Sequence, residues 1–443
     1  MTESYWLEHA YVDGTVREGV HVMVEEGRFV LVERDAPAPP RGAERLAGLT
    51  IPGLANCHSH AFHRALRGRT EAGRGTFWSW REQMYAVAER LDPDSYLALA
   101  RATYREMALA GITAVGEFHY LHHRPDGTPY DDPNAMGHAL VQAAGEAGIR
   151  ITLLDTCYLA AGFGEPARGV QRRFTDGDAE AWAARVSGLP SRGGDGVVIG
   201  AAIHSVRAVP REQMPVVVDW AAARGAPLHV HLSEQVAEND ACLEAHGCTP
   251  AELLADAGAW TEHATAVHAT HLTARDIDLL GEQHSFTCLC PTTERDLADG
   301  IGPASALRAA GGRLTLGSDS HAIIDPFEEM RAVELDERLA TQERGHWSPE
   351  ALLAAPTEDG QTSLGWPDAG AIRVGARADL VTLDLGSVRT AGTGATAATA
   401  VFAATGADVV QVVADGRLVA RREDAAEVGR ELSSAIATVR GER

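Results

Sequence analysis

Two histidines that stand two residues apart, His58 and His60, follow a short apolar run at residues 49–54. On an extended strand the side chains of residues i and i+2 point to the same side, so both imidazoles can reach one metal ion. Imidazole nitrogen is a usual ligand of zinc and related divalent ions. Such a pair arises easily by chance in a chain with 19 histidines, so its meaning depends on partners elsewhere.

Three later strand-like segments end in polar residues that match this pair. They are His231 with Glu234 three positions further, His268, and Asp319. A mononuclear hydrolytic zinc site needs three or four nitrogen or oxygen ligands and one position open to water. The candidate ligands are His58, His60, His231 and Asp319. Glu234 is the candidate proton carrier, and His268 can orient the attacking water or polarise the substrate.

The segments that carry these residues belong to a regular alternation of strands and helices. The strand candidates are residues 53–57, 114–119, 149–156, 197–204, 228–231, 266–268, 286–290 and 314–318. The helical stretches include residues 95–110, 135–147, 215–224 and 274–282. Eight strands with intervening helices predict a (β/α)8 TIM-like barrel, whose active site lies at the carboxyl ends of the strands. An open doubly wound sheet is the alternative, but no Gly-x-Gly-x-x-Gly follows the first strand.

Both ends of the chain are rich in strands and lie outside this alternation. The strand candidates there are residues 6–12, 20–24 and 28–32, then 378–384, 409–413 and 415–419. We expect residues 1–50 and 370–443 to pair into a small β-sandwich domain, with the barrel at residues 51–369. Residues 390–404, rich in alanine, threonine and glycine, are expected to form a loop that leads into a short helix.

Charge and composition narrow the classes of function. The net charge of −23 argues against a nucleic-acid or anionic membrane surface, and an anionic substrate needs local arginines. The first residues lack a secretory signal pattern, no apolar stretch is long enough for a bilayer, and the six cysteines show no framework spacing. We therefore expect reduced thiols in a cytoplasmic protein.

The sequence contains no lysine, so all 39 basic residues are arginine. This excludes Schiff-base chemistry through a lysine. It also excludes a two-metal site that is bridged by a carbamylated lysine.

The order His-x-His, His-x-x-Glu, His and Ser-Asp resembles the one-metal deaminase branch of the amidohydrolase superfamily. Five further stretches resemble the formimidoylglutamate deiminases in particular. They are residues 58–62, 77–82, 117–120, 204–207 and 290–294. The resemblance implies zinc-dependent hydrolysis of N-formimidoyl-L-glutamate to N-formyl-L-glutamate and ammonia, a step of histidine degradation. Barrels of this kind are often dimers, so a homodimer is a further expectation.

The resemblance also assigns roles to individual residues. The metal role falls on His58, His60, His231 and Asp319, and proton transfer on Glu234, His268 and Asp319. Substrate binding falls on Arg81, Tyr120, His204 and Arg207, because a guanidinium binds a carboxylate through two hydrogen bonds. His63 departs from the family pattern, which has glutamine there, and this bears on the choice of substrate.

Several alternatives stay open at this point. A deaminase of another amidine, such as a nucleobase, is the nearest rival, and an aromatic stacking pocket in place of paired arginines favours it. A non-catalytic metal-binding barrel is the rival from another class. His271 can take the role of His268. A second group, His119, His122 and His123, is interpreted as loop structure and not as a metal site.

Overall fold

The computed structural model describes residues 2–70, 77–190 and 195–442, and these contain seventeen strands. In chain order the strands are β1 (Glu3–Val12), β2 (Thr15–Glu25), β3 (Arg28–Glu33), β4 (Glu44–Pro52), β5 (Leu54–Ser59), β6 (Ile112–His119), β7 (Arg150–Cys157), β8 (Ala160–Gly162), β9 (Glu165–Pro166), β10 (Val197–Ile203), β11 (Leu228–Leu232), β12 (Ala264–His268), β13 (Phe286–Leu289), β14 (Arg313–Leu316), β15 (Leu380–Leu383), β16 (Val409–Ala414) and β17 (Arg417–Arg421).

The same residues contain fifteen α-helices. They are α1 (Phe77–Ala88), α2 (Pro93–Leu109), α3 (Ala135–Ala147), α4 (Ala179–Val186), α5 (Met214–Arg224), α6 (Val236–His246), α7 (Pro250–Asp256), α8 (Ala274–Glu282), α9 (Pro291–Asp296), α10 (Ala304–Ala309), α11 (Pro326–Thr341), α12 (Pro349–Ala354), α13 (Gly360–Ser363), α14 (Ala397–Phe402) and α15 (Ala425–Arg440). Short 3-10 helices include Ala61–Leu66 and Gly169–Arg173, and Ala355–Asp359 is a π-helical turn. None of the described helices is both long and apolar enough to cross a bilayer.

Eight parallel strands form the barrel, in the order β5, β6, β7, β10, β11, β12, β13 and β14. Most of their residues are buried, as expected for parallel strands that are covered on both faces. After β14 the backbone N–H groups of Ser318 and Asp319 donate to the carbonyl oxygen of His58, at 3.1 and 3.0 Å. This link between the last and first strands closes the ring. The predicted barrel and its eight strands are confirmed.

The helices begin and end where local chemistry favours it. Asp92 caps α2 by accepting a hydrogen bond from the Ser95 backbone at 2.9 Å, with proline at the first helical position. Thr273 and Asp276 form a capping box at the start of α8. Helix α3 ends at Gly148, whose φ of 80° lies in the left-handed region that glycine tolerates. The four predicted helical stretches correspond to α2, α3, α5 and α8.

The two ends of the chain build a separate β domain, as predicted. Its seven strands are joined edge to edge in one sheet, in the order β17, β16, β15, β4, β1, β2, β3. Strand β4 was not predicted, and it lies between β1 and β15 and so joins the two ends of the chain. It runs into barrel strand β5 through Gly53, where a Cβ atom would stand 2.4 Å from the Thr113 hydroxyl oxygen.

A buried ion-pair network ties this domain to the barrel. Arg150, at the start of β7, donates to both carboxylate oxygens of Asp379 and to Asp415 in the small domain. The loop predicted at residues 390–404 leads into the short helix α14, which lies within that stretch. The C-terminal helix α15, which the sequence pattern did not reveal, packs against barrel helix α2.

Candidate metal centre and active site

The predicted metal ligands converge at the carboxyl ends of the barrel strands. His58 Nε2 lies 3.0 Å from His231 Nε2 and 3.2 Å from Asp319 Oδ1. His60 Nε2 lies 3.3 Å from the same Asp319 oxygen. All four side chains are buried or nearly so, with His231 the most exposed at 8%. Residues that are 261 positions apart in the chain thus meet at one point, because β5 and β14 are neighbours in the closed barrel.

Backbone acceptors decide which nitrogens of these imidazoles face the centre. His60 Nδ1 is 2.9 Å from the carbonyl oxygen of Phe118, and His231 Nδ1 is 2.9 Å from that of His204. A carbonyl oxygen can only accept, so each Nδ1 carries the proton. Burial lowers the pKa of His58 to about 3 and that of His231 well below its ordinary value. On His231 the lone pair of Nε2 therefore faces His58.

This donor set fits a divalent cation. Nitrogen lone pairs and a carboxylate that face one another at about 3 Å repel each other unless a positive charge lies among them. Three imidazole nitrogens and one carboxylate oxygen are ligands that zinc accepts, and hydrogen bonds from Nδ1 to backbone carbonyls are the usual outer partners of such ligands. The group His58, His231, His268 and Asp319 also has ligand atoms within 4.8 Å of one another.

Backbone strain is concentrated at the same strand ends. Ser233, His268, Ala269, Asp319 and His321 all have positive φ values, between 36° and 67°, although none is glycine. Each such residue costs about 1–3 kcal/mol and persists only where its surroundings hold it. The N–H of Ala269 donates to Leu232 and that of Asp319 to His58, both at 3.0 Å. Tertiary hydrogen bonds thus hold the strained backbone that directs these side chains inward.

A chain of charged groups adjoins the centre. His268 Nε2 lies 3.9 Å from Glu234 Oε1 and 3.9 Å from Asp319 Oδ2. Its Nδ1 lies 3.3 Å from Glu294 Oε1, which also accepts from the Cys290 backbone at 2.8 Å. Burial would lower the pKa of His268, but the neighbouring carboxylates, Glu234 first, raise it well above its ordinary value. Burial raises the pKa of Glu234. The pair can therefore hold and exchange a proton beside the centre.

The pocket above the centre contains every predicted substrate residue. Its empty space is about 610 Å³, including the open mouth. Its wall includes His63, Arg81, Tyr120, His204 and Arg207, and also the aromatic residues Trp80, Tyr85, Tyr158 and Phe174. Arginines and aromatic rings therefore occur together. Paired arginines were expected for a formimidoylglutamate deiminase and an aromatic pocket for a nucleobase deaminase, so the lining residues alone do not separate the two hypotheses.

Arg207 is held in place by a buried carboxylate. Its Nε donates to Glu238 Oε2 at 2.6 Å, and the other oxygen of Glu238 accepts from the Ser233 backbone at 3.0 Å. The same carboxylate thus joins Arg207 to the strained end of β11. Arg81, on α1, lies with its guanidinium 5.5 Å from the ring centre of Tyr85.

His63, the residue that departs from the family pattern, lies inside the pocket. It is buried, and its Nε2 is 3.2 Å from the hydroxyl oxygen of Tyr120. Its ring centre is 4.5 Å from that of His60 and 5.0 Å from that of Trp80. Burial lowers the pKa of His63 well below its ordinary value, so it is a neutral polar group next to the centre.

The structure rejects one alternative assignment, His271, and adds three glutamates that support the site. His271 does not line the pocket, because its Nε2 contacts the carbonyl oxygen of Asp299 at 2.8 Å, so it does not replace His268. Glu117 flanks His60, since its two oxygens accept from Ser59 Oγ at 2.6 Å and from the Ala61 backbone at 2.7 Å. Glu117, Glu238 and Glu294 received no role from the sequence. Glu117 begins the stretch 117–120 and Glu294 ends the stretch 290–294, and membership of these stretches was the available signal.

A second histidine group lies nearby but is organised differently. His119, His122 and Asp155 have possible ligand atoms within 4.8 Å of one another. Arg185 donates to both oxygens of Asp155, at 2.9 and 2.8 Å. A side-chain cation therefore already neutralises this carboxylate.

Known proteins resemble the chain over most of its length. The Amidohydrolase family model matches residues 49–419. Formimidoylglutamate deiminase of Pseudomonas aeruginosa is 39% identical over 367 residues, which cover 80% of this chain and 80% of the relative. The 8-oxoguanine deaminase of the same organism is 30% identical over 433 residues, with 94% and 92% covered. The crystal structure of an amidohydrolase from Brucella melitensis has a TM-score of 0.90 at 32% identity, with 99% of each chain covered.

Proposed function

Since this chain belongs to the amidohydrolase family and is a hydrolase that acts on C–N bonds, we propose that it converts N-formimidoyl-L-glutamate and water to N-formyl-L-glutamate and ammonia. The proposal rests on one observation, which is that a proton-exchanging pair and two arginines lie in the same pocket. A proton-exchanging pair, Glu234 and His268, adjoins the candidate metal ligands, and two arginines line the same space. Two guanidinium groups match the two carboxylates of a glutamate moiety.

The metal in this proposal is one divalent ion, and zinc suits the nitrogen-rich donor set best. His58, His60, His231 and Asp319 would hold it. When bound, such an ion makes water available as a nucleophile near neutral pH and acts as a Lewis acid. The remaining steps depend on side chains of the chain itself.

Glu234 is placed to move the proton that the reaction requires. Addition of water to the formimidoyl carbon and departure of ammonia transfer hydrogen from the attacking oxygen to the leaving nitrogen. Glu234 lines the pocket, and burial raises its pKa, so it can accept a proton and release it again. His268, held on its far side by Glu294, directs Nε2 toward Glu234 and Asp319 and can donate to the reacting atoms.

The arginines supply local positive charge in a strongly acidic chain. Arg207 is fixed by Glu238, so little side-chain freedom remains to be lost when a carboxylate binds. The aromatic wall around it excludes water, which strengthens such charged contacts.

A deaminase of a cyclic amidine is the second candidate. Trp80, Tyr85, Tyr158 and Phe174 offer flat apolar surfaces of the kind that stack on a nucleobase. An 8-oxoguanine deaminase is among the relatives. The paired arginines count against this candidate, because a neutral base offers no carboxylate to their remaining N–H donors.

The test is ammonia release by the zinc-loaded protein, with a chelated sample and 8-oxoguanine as comparisons. We expect metal-dependent release from N-formimidoyl-L-glutamate and little from the purine. The variant Glu234→Gln should keep its metal and lose about 10²–10⁴-fold in rate. The exposed Glu262→Gln is the matched control and should behave as wild type. Release from the purine alone would refute the proposed substrate, and an active Glu234→Gln would refute the proton role.

A further inference from the structure

Two tyrosine hydroxyls in the pocket wall share one buried amide. Gln171, in the 3-10 helix Gly169–Arg173, is 4% exposed. Its Nε2 lies 3.1 Å from the hydroxyl oxygen of Tyr85 on α1 and 2.9 Å from that of Tyr158, which follows β7. None of these three residues received a role in the proposed reaction.

The orientation of the amide follows from its other end. Gln171 Oε1 is 3.2 Å from the backbone nitrogen of Arg168. A backbone N–H can only donate, so the atom facing it is the amide oxygen and the NH2 group faces the tyrosines. Both N–H groups of Gln171 are therefore donated, one to each phenol oxygen. The tyrosine oxygens act as acceptors toward Gln171, and their own protons must point elsewhere.

At least one of these protons is left for the pocket. The two hydroxyls interact with each other, and such a contact uses one O–H at most. Within residues 2–70, 77–190 and 195–442, no hydrogen-bond acceptor other than the neighbouring tyrosine oxygen contacts either hydroxyl, since Gln171 donates to both. Both tyrosines line the pocket. The amide thus presents a hydroxyl donor to whatever fills it.

The place of this donor indicates which part of a substrate it meets. The ring centre of Tyr158 is 4.5 Å from that of His204, which is 5.1 Å from that of the candidate ligand His231. The tyrosine thus lies one side-chain layer further from the metal centre. The amidine must reach Glu234 and Asp319, so the hydroxyls face the opposite end of the bound molecule.

The charge around the hydroxyls favours an anion. The guanidinium of Arg81 lies 5.5 Å from the ring centre of Tyr85. The positive charge of Arg207 acts on Tyr158, where burial is the larger influence and raises the pKa of the phenol. A neutral phenol next to guanidinium groups is a good donor to a carboxylate, because hydrogen bonds to a charged acceptor are the stronger ones.

We propose that Tyr85 and Tyr158, positioned by Gln171, bind the substrate carboxylate that is remote from the amidine. The inference rests on the proposed function, and it names the residues that select a dicarboxylate at that site. The tyrosines contact substrate, and Gln171 is a positioning residue that acts through them.

The test compares two substrates that differ only in the remote carboxylate, N-formimidoyl-L-glutamate and N-formimidoyl-L-norvaline. In Tyr158→Phe we expect the KM for the first to rise roughly tenfold to one-hundredfold, the loss typical of one hydrogen bond to a charged group. The kcat should stay within about threefold, and the KM for the norvaline compound should not change. Gln171→Leu should give the same pattern. Tyr11→Phe, in strand β1 of the small domain, is the matched control.

Two results would overturn the inference. Equal losses for both substrates would show that the tyrosines only pack, and unchanged KM values would show that no hydroxyl contacts the carboxylate. Thermal unfolding of each variant checks its folding, and Tyr85→Phe, at a less buried position, answers the same question if Tyr158→Phe unfolds.

A binding measurement separates this inference from the proposed function. Calorimetry with N-formyl-L-glutamate and N-formyl-L-norvaline needs no turnover. If the zinc-loaded wild type releases no ammonia but prefers the dicarboxylate, and Tyr158→Phe loses that preference, the proposed reaction fails and the inference stands. If wild type and Tyr158→Phe bind the two compounds with the same ratio of affinities, the inference is wrong whatever the reaction.

Discussion

Two groups of buried histidines lie near the carboxyl ends of the barrel strands, and they differ in what balances their carboxylate. In the metal cluster, His58, His60, His231 and Asp319, the side chains that form ion pairs with the Asp319 carboxylate within 4 Å in the described residues are the imidazoles of His58, His60 and His268. In the arginine cluster, His119, His122 and Asp155, the guanidinium of Arg185 binds both carboxylate oxygens and the indole of Trp182 donates to one of them at 2.9 Å.

The comparison shows that histidines near an aspartate are not enough to mark a metal site. Burial would raise the pKa of Asp155, but Arg185 lowers it to about 2, so the carboxylate is already charged and paired. The Nε2 of His122 also lies 3.0 Å from the carbonyl oxygen of Thr156. A carbonyl oxygen can only accept, so this nitrogen carries a proton and offers no lone pair to an ion. What distinguishes the metal cluster is a set of imidazole nitrogens that face a carboxylate and one another with no arginine among them.

The largest contrast is expected for removal of each aspartate charge. Asp319→Asn should reduce bound zinc from about one ion per chain to nearly none and lower ammonia release by more than the ~10–100-fold seen when an outer partner of a ligand is lost. Asp155→Asn is the matched control and should keep both. Elemental analysis and the ammonia assay measure the two effects. Zinc loss in Asp155→Asn with zinc retained in Asp319→Asn would reverse our assignment of the two clusters.

A smaller effect is expected from removal of the cation of the arginine cluster. Arg185 also pairs with Asp176, at 2.9 Å between Nε and Oδ1. Arg185→Met leaves both carboxylates without this partner, which should lower the free energy of unfolding by about 3–5 kcal/mol. Arg101→Met removes an exposed ion pair with Glu146 and should change it by no more than about 1 kcal/mol. Urea unfolding measures both. Equal losses in the two variants would mean that the arginine cluster is not the stabilising group we describe.

The smallest effect is expected in the pH dependence of the free energy of unfolding at acid pH. The pKa of Asp155 is about 2 in the folded protein, below its ordinary 3.8, so its charge stabilises the fold above the unfolded pKa. That contribution, about 2 kcal/mol at most, is lost as the pH falls from about 5 toward 2. The free energy of unfolding of Asp155→Asn should therefore depend less on pH than that of wild type in this window. Parallel pH profiles would contradict the paired state of Asp155.

The sequence predicted the barrel because each strand is a short apolar run and several of these runs end in a polar residue. It missed strand β4, whose residues continue directly into β5, because only Gly53 separates the two. It missed helix α15, which directly follows the strand-rich residues 409–421. In both cases the local pattern was ambiguous, and pairing with distant residues resolved it.

The candidate site divides in the same way. The identities of His58, His60, His231, Glu234 and Asp319 could be read from spacing and order, since metal chemistry admits few residue types. The supporting groups could not, because Glu294, Glu238 and Gln171 act through contacts with residues far away in the chain. A glutamate or glutamine on a helix has many possible partners, and only packing selects one.

The sequence by itself determined the alternation of strands and helices, the absence of lysine chemistry and the set of residues able to bind a metal and move a proton. Only the tertiary structure decided which buried carboxylate pairs with an arginine and which one meets imidazoles. Ring closure of the barrel brings Asp319 to His58, and the position of α4 brings Arg185 to Asp155. Opposite charges compensate each other only when they lie within a few ångströms in the folded structure. The separation of two residues along the chain does not show whether they do.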